Sequence, residues 1–131
     1  MKKEKFLQEI KKHLKNTIIP TLEDTALPSL GKKYTYNEEH SIYISKDSLC
    51  FGDLKNKSEA SHAIAKDISQ QIMNRVSYYS NAIYSSVKDV RCVYASLNKY
   101  DISISEGDYI KITVRYQLIL EAEVRKVKLD N

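Results

Sequence analysis

The residue best placed for acid–base or metal chemistry is His62, because Asp53 and Glu59 stand close to it in the chain. A carboxylate beside an imidazole can orient a general base, and mixed histidine and carboxylate sets hold divalent metals. The spacing carries no metal signature, however, and a helix-surface histidine beside carboxylates is far more often simply solvated. His13 and His40 stand far from His62, so the histidines do not cluster in sequence. Cys50, just before Phe51, would need a base and an electropositive setting to act as a nucleophile. As a small buried hydrophobe it needs nothing, and that reading is preferred. Glu121 and Glu123 share one face of an alternating stretch, as do Lys111 and Arg125. A nuclease would want a lysine two residues after the acid, where Arg125 stands instead. Gly31, Gly52 and Gly107 are isolated, so no loop can cradle a phosphate. The sequence therefore predicts no catalytic, cofactor-binding or metal-ligating residue.

Stepping from side chains to elements, the clearest feature is Tyr109–Arg125. Ile110, Ile112, Val114, Tyr116, Leu118, Leu120, Ala122 and Val124 alternate with Lys111, Thr113, Arg115, Gln117, Glu121, Glu123 and Arg125. A period of two makes this one long strand with a dry and a wet face. Val90, Cys92 and Tyr94 alternate with Arg91, Val93 and Ala95, and Tyr100, Ile102 and Ile104 follow. The turn Glu106-Gly107-Asp108 then joins the two strands in the longest hairpin, with Gly107 expected to supply a positive φ. From Ser58 onward, Ile64, Ile68, Ile72 and Val76 step by four along one helix face, with Asn56 or Ser58 as cap. The segment from Tyr78 to Lys88 reads equally as more helix or as loop.

Toward the N-terminus, Lys2 to Asn16 reads as an amphipathic helix, with Phe6, Leu7, Ile10 and Leu14 on one side and lysines on the other. Pro20 ends it. A short helical piece around Leu22, Ala26 and Leu27 is expected, then a short extended piece over Lys32 to Tyr36. Glu38 to Leu54 reads as a hairpin, with Ile42 and Ile44 in one arm and Leu49 to Phe51 in the other. This order predicts a single α+β domain over 1–131, with 126–131 frayed. Its mainly antiparallel sheet ends in a long hairpin, packed by an N-terminal helix and one long central helix.

Composition narrows the function classes without choosing one. At 131 residues, 42% hydrophobic and 29% charged, the chain has the balance of one folded domain. A net charge of +4 is too mild to imply nucleic acid by itself. No stretch approaches the ~20 apolar residues of a membrane span. No apolar run follows the charged N-terminus, as a secretory leader requires, so a reducing compartment and two free, buried thiols at Cys50 and Cys92 are expected. The basic helix with Lys11, Lys12 and Lys15 is the best partner-facing feature, suited to anionic lipid or nucleic-acid backbone. Glu4 and Glu9 dilute that charge, and lysines left in water are the simpler account. Ten tyrosines, including the pair Tyr78-Tyr79, suit sheet packing or an interface.

The chain resembles the small tail-terminator and tail-completion proteins of long-tailed bacteriophages and their prophage relatives. The residues that carry the resemblance are Leu22-Glu-Asp-Thr-Ala-Leu-Pro-Ser-Leu30 before Tyr34, the helix Ser58–Ile68, and the closing hairpin. In that hairpin they are Tyr100-Asp101, Glu106-Gly107-Asp108 and Tyr109-Ile-Lys-Ile-Thr-Val-Arg-Tyr116. Many members carry a proline before an early strand and a tryptophan just ahead of the long helix. Here no proline stands between Gly31 and Phe51 and the chain has no tryptophan; Phe51 is the residue to fill the tryptophan's role. The resemblance implies a non-enzymatic virion protein without cofactors. Such a protein assembles into a ring, typically of six copies, in the bacterial host cytoplasm, then caps the tail tube and meets the head-side connector proteins. The contact residues then expected are Lys11, Lys12 and Lys15 on the basic helix, and Arg115, Gln117, Glu121 and Glu123 on the outward face of the last strand. The rival reading is a small nucleic-acid-binding module using the basic helix.

Overall fold

The computed structural model describes residues 2–16, 22, 32–45 and 54–125. Its elements are α1 (Lys2–Leu14), β1 (Lys33–Ser45), α2 (Leu54–Ser86), β2 (Val90–Glu106) and β3 (Tyr109–Val124). The three strands form one antiparallel sheet in the order β1-β3-β2, with β3 at the centre. The fold is α+β, with both helices on one face of the sheet.

The long alternating stretch takes the central position, where its apolar face has most to gain from burial. Ile110, Ile112, Val114, Leu118 and Leu120 are fully buried, each worth about 2 kcal/mol against exposure. Ile64, Ile68, Ile72 and Val76 of α2 are buried as well. A stride of four drifts around a helix by about 40° each time. The seven-residue step from Val76 to Ile83, which is also buried, brings the stripe back toward the sheet. This keeps the helix continuous through Tyr78–Ser86, where sequence pattern alone left helix and loop open. The helix also begins before both expected caps, so Asn56 and Ser58 fall inside it. Asp89, at φ 61°, turns the chain out of α2, and its carbonyl accepts from the Arg125 N–H at 2.8 Å. On α1, Phe6, Ile10 and Leu14 are fully buried, and this helix packs on α2 and over β2.

Three local expectations change. Residues 33–45 form one strand, not a short extended piece followed by a hairpin. All thirteen residues pair with β3, from Lys33 opposite Glu121 to Ser45 opposite Tyr109. Glu38 and His40 interrupt the apolar alternation, which makes one strand look like two. The second arm expected over 49–51 lies outside the described residues, as do Ala26 and Leu27. Gly107 does not adopt a positive φ; among the described non-glycine residues the left-handed ones are Asp89 and Lys99. Finally, β2 does not alternate uniformly. Its register against β3 shifts between Val90 and Cys92 and between Asn98 and Asp101, and each extra residue swaps the side that follows. Val93, Ala95 and Leu97 therefore face the helices opposite Ala122, Leu120 and Leu118, while Cys92 and Tyr94 take the other face.

Candidate functional site

Side chains with strong mutual interactions gather where β1 meets α2. Alternation along β1 sends Tyr34, Tyr36, Glu38, His40, Ile42 and Ile44 to the helix side, opposite Leu120, Leu118, Tyr116, Val114, Ile112 and Ile110 of β3. On α2, Arg75 and Tyr79 are four residues apart and lie one above the other. Tyr79 stacks on Tyr36 with ring centroids 3.6 Å apart and planes 11° apart. Glu38 Oε1 accepts from Arg75 Nη2 at 2.8 Å, from Arg75 Nε at 3.1 Å and from the Tyr79 hydroxyl. That hydroxyl in turn accepts from Arg75 Nη2 at 2.9 Å. The guanidinium lies 4.6 Å from the Tyr78 ring centroid and 4.8 Å from that of Tyr79, and Tyr78 meets Tyr79 edge-on. Beside this group, His40 Nε2 is 2.5 Å from the buried Tyr116 hydroxyl.

The electrostatics follow from burial and pairing. Burial pushes the Glu38 carboxyl up, but hydrogen bonds from Tyr79 and Arg75 and the guanidinium charge outweigh it, holding Glu38 below its ordinary value. Bonds to Tyr79 and Glu38 raise Arg75, and burial followed by the bond to Glu38 raises Tyr79. Burial also raises Tyr36 and Tyr116, and it lowers His40 against the pull of Glu38. At neutral pH the cluster is thus an ionised carboxylate–guanidinium pair framed by protonated tyrosines and a neutral imidazole. Glu38 Oε1 is already engaged, and what the cluster presents outward is an aromatic and guanidinium surface: Tyr78 is 60% exposed and the Arg75 side chain 33%. Locked tyrosine and arginine side chains lose little entropy on contact, which suits a binding surface.

The residues singled out from sequence do not form one site. On α1, Lys11 is half-buried and Lys12 is exposed; Lys15 is exposed just beyond the helix. Arg115 is exposed and donates to Glu39 on β1 at 2.7 Å. Gln117 sits in an amide ladder across all three strands, accepting from Asn98 at 2.8 Å and donating to Asn37 at 3.1 Å. Asn37, Glu39, Arg115 and Gln117, with Lys99 and Asp101, line a shallow hollow of about 390 Å³ on the sheet's outer face. Glu123 is half-buried, accepts from the Tyr94 hydroxyl at 2.9 Å and lies 3.7 Å from Arg91; the Glu123 bond pushes Tyr94 up to about 12.

Glu121 overturns the expectation of an outward contact: it is fully buried. The outer face is closed at this end, where Ser96, on the same face as Glu121, donates to the carbonyl of buried Leu22 at 3.2 Å. The alternation rule assigns Glu121 to the outer face correctly, but it cannot see a residue as distant as Leu22 on that face. Glu59 and His62 are both exposed, and Asp53 lies outside the described residues. The neighbour of His62 is His13, with ring centroids 5.0 Å apart, and His13 lies 3.8 Å from Glu9. Among the described residues, no three metal-ligating side chains gather into a site. Cys92 is a free thiol but only half-buried, and Cys50 is outside the described residues.

Sequence reasoning did not find the β1–α2 cluster. The Tyr78-Tyr79 pair and the four-residue spacing of Arg75 and Tyr79 were the available signals, but their partner Glu38 sits in a strand whose pairing is entirely non-local. Comparison with protein-family models, with curated proteins and with solved structures finds no match.

Proposed function

We propose that this chain is a non-enzymatic structural subunit that assembles with copies of itself into a ring, capping a phage or prophage tail tube and joining it to the head connector. The observation that carries the reading is the β1–α2 margin. There a rigid patch of Tyr36, Arg75, Tyr78 and Tyr79 adjoins a thirteen-residue edge strand. Arginine and tyrosine held in fixed rotamers make good interface anchors, and a long edge strand without a bulge can pair with another chain. The element order and closing hairpin that carry the resemblance to tail terminators support the specific role. Arg115, on the open part of the outer face, and the exposed lysines of the basic helix supply contacts to the tube or connector.

The test is electron microscopy of the purified chain, alone and after incubation with tail tubes lacking their terminator. The proposal expects rings in the first sample or capped tube ends in the second. Monodisperse particles of single-chain size in the first, with bare tubes in the second, would refute it.

A further inference from the structure

The helical layer is off-centre on the sheet. Both helices lie over β2, α2 also lies over β3, and α2 reaches β1 through the long side chains of Arg75 and Tyr79. The consequence shows in cross-strand pairs. Leu120, Leu118, Ile112 and Ile110 of β3 are fully buried, yet their helix-side partners on β1, Tyr34, Tyr36, Ile42 and Ile44, are only half-buried. The two edges also differ. β2 is interrupted by two register shifts, whereas β1 runs through thirteen consecutive pairs with none. β1 has no interruption of this kind, and β2 is regular on either side of its second shift, over Cys92–Asn98 and Asp101–Glu106. Among the described residues, no strand lies beyond β1.

We propose that this margin is closed by a second copy of the chain, whose β2 edge runs parallel to β1 and whose helices cover the β1 stripe. Three arguments select that occupant. First, β1 and β2 are each antiparallel to β3, so they point the same way. A rotation about an axis along the strands brings β2 of one copy beside β1 of the next in parallel, and the contact repeats until the ring closes. Second, the helix offset fits the gap. Strands are about 4.8 Å apart, and a helix with its side chains has a radius of about 5 Å, so helices over β2 extend about one strand beyond it. A two-fold joint between two β1 edges would leave both stripes bare, because neither copy carries a helix there. Third, the charges match. α1, which lies over β2, exposes Lys12, while at the receiving margin, where Arg75 already balances Glu38, the exposed Asp67 acts on His40 and supplies the negative charge. The strip is about 43 Å long at ~3.3 Å per residue. At a width of about 15 Å it removes roughly 650 Å² per copy, near the size of a standard specific interface.

The proposal rests on the self-assembly reading, and the test separates the two. Ser41 and Ser103 both pair with Thr113 from opposite sides and are exposed, so they mark the same level of the two edges. In a background carrying Cys50→Ser and Cys92→Ser, the variants Ser41→Cys, Ser103→Cys and the double variant are oxidised with copper–phenanthroline, because a disulfide joins neighbouring strands about 4.8 Å apart but cannot span the ~9.6 Å between the two positions within one chain. A second double variant, Ser41→Cys with Ser105→Cys, allows for a shift in register. Light scattering on the same samples reports assembly. The expected result is a ladder of dimer, trimer and larger products from a double variant, with none from either single variant. A dimer from Ser41→Cys alone would overturn the joint in favour of a two-fold. Multimers by light scattering without any ladder would overturn the joint and leave self-assembly standing. Absence of multimers and of cross-linked products, free in solution and on tail tubes alike, would overturn both.

Discussion

Glu38→Gln tests whether the β1–α2 cluster is a stabilising, charge-dependent structure. The carboxylate accepts two bonds from Arg75 and one from Tyr79, and its side chain is 15% exposed. Glutamine keeps the shape but removes the charge. A hydrogen bond to a charged group contributes about 1.5–3 kcal/mol, and a neutral acceptor retains about half of that. Arg75 is a third exposed, so solvent screens part of the effect, and the net loss comes to about 2 kcal/mol. For a chain of this length that lowers Tm by about 8 °C. The pH dependence fixes the cause. The folded-state Glu38 value is depressed, so its contribution is complete above the ordinary carboxylate value of 4.5 and is lost as pH falls through the folded value. Thermal melts followed by circular dichroism at pH 7, 5 and 3.5 should show the gap between native chain and variant at full size in the first two and shrinking in the last. Glu39→Gln is the control, because the Glu39–Arg115 pair is exposed at 53% and 68% and should contribute under about 1 kcal/mol. A gap at pH 7 below about 2 °C, a gap unchanged at pH 3.5, or an equal effect of Glu39→Gln would refute the reasoning.

Other substitutions examine separate parts of the fold. Phe6→Ala should cost about 3–5 kcal/mol in urea denaturation, because Phe6 is fully buried; a loss below about 1 kcal/mol would mean that α1 is not docked as described. Glu121→Ala should destabilise by more than about 2 kcal/mol while Arg115→Ala stays within about 1 kcal/mol, reversing the equal surface roles that alternation alone assigns them. Lys99→Gly should raise the urea midpoint slightly, since relief of a left-handed residue at φ 49° outweighs the added chain entropy by about 0.5 kcal/mol; a clear loss of stability would show that the Lys99 side chain holds the bulge.

The parts of the fold legible in sequence are those whose signal is local and repeated. Alternation from Ile110 to Ala122 and the spacing of Ile64, Ile68, Ile72 and Val76 gave β3, the core of α2 and the α+β class. What alternation cannot show is which strand lies beside which. The thirteen residues of β1 pair with residues some 64 to 88 positions away, and the polar pair Glu38 and His40 hid the strand's continuity. The same non-local pairing hides the cluster, since Glu38 and Arg75 are ordinary surface types until the sheet brings them together. Glu121 failed for a related reason. Its face was assigned correctly, but alternation cannot show that Leu22 sits against Ser96 on that face.

The most direct test of the central claim is the absolute mass of the chain in solution. Light scattering after size exclusion, over a wide concentration range and at two salt levels, would measure it. The account predicts a discrete ring-sized species, with a hexamer as the expected closed form, and its weakening when Tyr78 and Arg75 are both replaced by alanine. A strict monomer at every concentration and salt level, with tail tubes left bare by the same preparation, would contradict it.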